Sequence, residues 1–125
     1  MKIYSQPVPL LKTHLIILCC KTSKEGDRAI QSSKLINKEV KYLLRGFNVA
    51  DDIQGQLYYD PATNQPLLLF MRDTRRNWLF WEVLIHELNH TVFYFAKQAC
   101  FENETEFQAR LQQTLFKEIR VKLTK

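Results

Sequence analysis

The sequence predicts an α+β fold, and three observations carry that prediction. Near the N-terminus Leu15-Ile16-Ile17-Leu18 is a continuous apolar run with a β-branched pair, the composition of a buried strand. In the middle of the chain Gln56–Tyr59 and Leu67–Met71 are β-rich and enclose a turn-rich segment. Before and after them apolar residues recur every three to four positions, the period of helices. With 125 residues, 46% of them hydrophobic and 25% charged, there is material for one core and not for two. The chain is therefore read as one domain over residues 1–125, with a small antiparallel or mixed sheet and no internal repeat.

Taken in order, the first strand is expected near His14 to Cys19. Ser23-Lys24-Glu25-Gly26-Asp27 is turn-like. Asp27 then caps a helix whose apolar positions are Ile30, Leu35, Ile36, Val40, Leu43 and Leu44, with Gly46 as its stop signal. The two β-rich segments form strands joined by a long hairpin loop, Asp60 to Pro66, so that neither Pro61 nor Pro66 interrupts a strand. Thr74 is the expected cap of a helix that starts near Arg75 and runs into Tyr94. Because Trp78 to Ile85 is apolar almost all round, this helix is expected to be central and buried. A last amphipathic helix is expected from about Asn103 to Lys122, with Phe107, Leu111, Leu115, Phe116 and Ile119 as its stripe.

Composition narrows the classes of function. No apolar run reaches the roughly 18–20 residues that cross a bilayer. Pro7, Pro9 and His14 interrupt the apolar stretch at the N-terminus, which carries no small-residue cleavage site. Neither a membrane partner nor secretion is expected. Eighteen Lys and Arg against thirteen Asp and Glu give +5, a balance compatible with nucleic acid without favouring it. Cys19, Cys20 and Cys100 are expected as free thiols in a reducing compartment, the cytoplasm, and their spacing does not build a thiolate zinc site.

The residues that carry chemistry are His86-Glu87-Leu88-Asn89-His90, a His-Glu-x-x-His sequence inside the expected buried helix. Four residues at 100° each return the two imidazoles to one face, one turn apart, where both reach a single Zn²⁺. Glu87 stands one residue round the helix, placed to take a proton from a metal-activated water without being a ligand. Zinc is thus the expected cofactor, His86 and His90 its ligands, and Glu87 the general base.

On these residues the chain resembles the zincin superfamily of metallopeptidases. The metzincin extension is absent, since Thr91-Val92-Phe93-Tyr94-Phe95-Ala96 holds neither Gly nor His. No His follows His90, which also departs from the SprT-like pattern. What remains looks like a Glu-zincin, in which a carboxylate on the next helix completes the ligand set. Glu102, Glu104, Glu106 and the more distant Glu118 are the candidates. Glu106-Phe107-Gln108-Ala109-Arg110-Leu111 resembles the Glu-x-x-Ala-x-Leu helix of small phage- and prophage-encoded metallopeptidases, and more loosely that of the ImmA/IrrE-like family. The resemblance covers about Trp78 to Leu123. It implies a minimal zincin-like domain, Glu106 as third ligand, hydrolysis of a peptide bond in a specific protein or peptide, and the host cytoplasm as the place of action. Asn103 and Glu106 also fit a helix cap with its capping-box partner. The ligand reading requires the motif helix to end near Lys97 and the last helix to cross it at a wide angle.

The other features have plainer accounts beside functional ones. Tyr94 and Arg110 are candidate oxyanion donors, or else packing and a solvated charge. The strand Leu67 to Met71 presents an edge to an extended peptide, or else it is a core strand. His14 is expected to be structural rather than a ligand. Arg72, Arg75 and Arg76 are expected at a solvated surface. Two rivals to the peptidase remain: a non-catalytic, zinc-containing interaction or inhibitor protein of phage origin, and a DNA-associated factor.

Overall fold

The computed structural model describes residues 1–101 and 103–125. A four-stranded mixed sheet carries two helices on each face. Strand β1 (Lys2–Val8) pairs antiparallel with β2 (Thr13–Cys20), from Lys2 opposite Cys19 to Val8 opposite Thr13. β3 (Gly55–Tyr59) pairs antiparallel with β4 (Pro66–Arg72). The two hairpins are joined by a parallel pairing of β2 with β4, from Ile16 opposite Leu68 to Cys20 opposite Arg72. The strand order is β1-β2-β4-β3, so β4 is interior, which settles Leu67 to Met71 as a core strand and leaves β1 and β3 at the edges.

β1 has no counterpart in the sequence reading. Ser5, Gln6 and Pro7 spoil both the apolar run and the alternation that mark a strand, and Pro7 is tolerated because β1 is an edge strand. The single helix expected between Asp27 and Leu44 is two. α1 (Ser23–Ser32) starts earlier, because the Thr22 hydroxyl accepts from the Glu25 N–H at 3.1 Å. It stops where Ser32 and Ser33 turn their hydroxyls to nearby backbone groups, and Asn37 caps α2 (Lys38–Leu43) afresh at 2.9 Å from the Val40 N–H.

α3 (Trp78–Gln98) is capped by Asn77 rather than Thr74, and α4 (Thr105–Thr124) closes the chain. α1 and α2 bury Ile30, Ile36 and Leu44 with Leu18, Leu68 and Phe70 on one sheet face. On the other face α3 and α4 bury Leu84, Leu88, Phe95, Leu111, Leu115 and Ile119 against Leu15, Ile17 and Leu69. α4 doubles back along α3. Gln112 donates to the Ile85 carbonyl, and four residues on, Phe116 meets Trp81, four residues back. The wide crossing expected from the sequence is therefore not the arrangement found.

α3 is not the fully buried helix its apolar content predicts. Trp78 is 71% exposed, Leu79 50%, Phe93 47% and Ile85 41%. With only the sheet and α4 to pack against, α3 buries one side and leaves the other in water. Arg72 departs from expectation in the opposite sense. It is buried, and its guanidinium donates to the carbonyls of Lys21 (2.8 Å), Ala50 (2.9 Å) and Ile53 (3.0 Å), fastening two loops to the end of β4. Among the described residues no helix is long and apolar enough to cross a membrane.

Candidate metal centre

The exposed side of α3 holds His86 and His90, one turn apart and both in solvent. Their Nε2 atoms converge to 3.2 Å, with the rings nearly perpendicular at 83°. Two nitrogens bound to one tetrahedral zinc at about 2.0–2.1 Å stand about 3.3 Å apart. The same separation is that of a hydrogen bond between the two rings, so the pair is spaced for either a shared proton or a shared metal.

Glu87, one residue round the helix, reaches towards the edge strand β3 and is half-buried. Burial pushes its carboxyl above the ordinary glutamate range, while His86, His90 and a hydrogen bond from the Leu57 backbone pull it partly back. The closeness of α3 and β3 depends on Gly55. A Cβ there would lie 2.7 Å from Val83 Cγ1, 3.0 Å from Met71 Sδ and 3.2 Å from Glu87 Cγ, so only glycine lets the helix come down on the strand. Gly55 and Leu57 are the site residues that sequence reasoning missed. The signal for the first was present: a glycine opening a β-rich run marks close backbone approach.

The structure brings His86, Glu87 and His90 together and does not add Glu106 to them. The Glu106 carboxylate accepts from Arg110 Nε at 2.9 Å, and both side chains are more than three-quarters exposed. Glu104 occupies the N-cap of α4 without a side-chain capping bond, so the Asn103–Glu106 capping box does not form either. Glu102 lies outside the described residues. Among the described residues no group of three His, Cys, Asp or Glu side chains is placed to hold a metal ion.

The remaining candidates are placed elsewhere. Tyr94, one turn beyond His90, stacks on Tyr59 of β3 with ring centroids 5.1 Å apart. Arg110 is taken up by Glu106. His14 is exposed, with its Nδ1 3.2 Å from the Ser5 hydroxyl, so it is a surface residue rather than a core one. Arg76 pairs with Asp73 at 3.2 Å and covers the Phe80 ring at 4.3 Å. Comparison of the chain with models of protein families, with curated proteins and with solved structures gives no match. The chemistry of the site has to be argued from its own side chains.

Proposed function

We propose that the protein is a zinc-dependent metallopeptidase that hydrolyses a peptide bond in a specific protein or peptide. The observation that carries this reading is the 3.2 Å convergence of the His86 and His90 Nε2 atoms beside the half-buried Glu87 carboxylate. Two imidazoles suit zinc, and for the Glu106 carboxylate to complete the set the start of α4 would have to move, since here Glu106 pairs with Arg110. Releasing Glu106 from Arg110 costs little, because an exposed ion pair is worth about 0.2–1 kcal/mol. Zinc, when bound, is a Lewis acid that acidifies water and polarises a carbonyl.

His86 and His90 would hold the metal on the exposed face of α3, where an extended chain has access. Glu87 takes the proton of the attacking water on its carboxylate and hands it to the leaving amine. Its ties to the Leu57 backbone and the Gly55 contact fix the carboxylate relative to β3.

The test is metal analysis of protein purified without chelator, followed by a Glu87→Gln variant. Zinc at one equivalent in both proteins, with peptide cleavage lost only in the variant, supports the proposal. Protein that binds no zinc in either form overturns it. A second reading is favoured by the absence of a third ligand among the described residues: a non-catalytic zinc-containing interaction protein. That reading predicts that wild type and Glu87→Gln behave alike.

A further inference from the structure

We propose that the β1 edge of the sheet is a docking groove for an extended, acidic segment of a partner protein. This edge is the one remote from the His pair, which lies beside β3. β1 has β2 on one side only, so one row of its N–H and C=O groups has no strand partner. An open groove of about 860 Å³ runs between this strand and α4. That falls within the roughly 300–1,000 Å³ typical of ligand sites. Tyr4, Pro7, Leu35 and Val121 give it an apolar lining, and Lys117 and Lys122 line it with positive charge. Leu35 is 62% exposed and Val121 48%, so apolar side chains stand in water alongside an unpaired strand edge.

The charges select the occupant. The one carboxylate of the groove, Glu118, already accepts from Gln6 Nε2 at 2.8 Å. Lys117 and Lys122 enter no ion pair among the described residues. A second copy of the chain would bring another +5 molecule to these lysines, which is unfavourable. Nucleic acid would need a longer row of cations and gains nothing from Leu35 and Val121. A strand with its apolar side chains on the Leu35 face and its acidic ones on the α4 face satisfies the backbone edge, Leu35 and the lysines together. Pro7 withholds one donor, which confines the pairing to part of the strand.

Docking here is independent of the metal site and is expected equally in Glu87→Gln. The test is a ¹⁵N chemical-shift titration with the synthetic peptide Ac-(Val-Glu)₄-NH₂ and with its lysine counterpart Ac-(Val-Lys)₄-NH₂. The proposal expects saturable shifts with the glutamate peptide confined to residues 2–8 and 114–122. It also expects at least a tenfold weakening in the Lys117→Glu/Lys122→Glu double variant. Both lysines are exposed, and an unchanged unfolding midpoint certifies the variant's fold. Absence of saturable shifts, equal binding of the lysine peptide, or shifts centred on β3 and α3 would overturn it.

Discussion

Replacing Gly55 by alanine puts one methyl group into the seam between α3 and β3. The new carbon would stand 2.7 Å from Val83 Cγ1, 0.7 Å inside the 3.4 Å at which ordinary contact begins, and 3.2 Å from the stem of Glu87. Neither neighbour is the free end of a long flexible chain, so helix and strand have to part. Overpacking of this kind costs about 1–3 kcal/mol. For a chain of this length that corresponds to a fall in melting temperature of roughly 4–12 °C. The two imidazoles are exposed on α3 and take their spacing from that helix alone, so zinc affinity is expected to hold. Glu87 moves with the seam, and a misplacement of about 1 Å costs on the order of 100-fold in turnover. Calorimetry, zinc titration and peptide cleavage on the same preparation separate these effects. Wild-type melting temperature and wild-type turnover together would show that Gly55 does not set the distance between helix and strand.

Three other expectations follow from particular residues. Arg72→Met should destabilise by about 1–3 kcal/mol in urea unfolding, because it leaves the carbonyls of Lys21, Ala50 and Ile53 without their shared donor, and Arg72→Lys should not fully rescue it. Of the three thiols only the exposed Cys100 should react promptly with a disulfide reagent. Burial pushes the Cys20 thiol from 9.0 up to about 11, so the folded state favours its protonated form. That contribution is complete below pH 9.0 and lost as the pH rises through about 11, and Cys20→Ala should flatten the stability profile over this window. Finally, Glu106→Gln should weaken zinc binding by more than the roughly 10–100-fold typical of an outer-shell group, as read by competition with a chelator. Metal-free stability should barely change, and an equal loss in Glu104→Gln but not in Glu106→Gln would reassign the ligand.

The strands with strong local signals were legible in the sequence. Thr13–Cys20 and Pro66–Arg72 have runs of large apolar residues that only an interior strand can bury on both faces, and each lies within one or two residues of its expected position. β1 was not legible, because an edge strand needs only half its residues buried and tolerates proline. The degree of burial of α3 was misjudged for a related reason. Trp78, Leu79 and Ile85 say that a helix is apolar, not how many neighbours the chain can supply to cover it. The His86–Glu87–His90 cluster was legible because all three residues sit on one helix, where spacing fixes geometry. No third ligand joins them among the described residues, and a carboxylate from α4 would have to come across a loop, over which no periodicity carries.

The sheet is two local hairpins, β1–β2 and β3–β4, zipped by a single parallel seam between Ile16–Cys20 and Leu68–Arg72. Each hairpin closes over a short connection, but the seam has to bring together segments separated by α1, α2 and β3. We expect the seam to govern the rate at which the protein folds. Leu18→Ala or Leu69→Ala should chiefly slow refolding, whereas truncations on α4 such as Ile119→Ala should chiefly speed unfolding. Stopped-flow chevrons with both sets changing only the unfolding limb would refute this. If it holds, the surface that presents His86 and His90 is assembled late, once the central strands have met, and a partly folded chain carries no competent site.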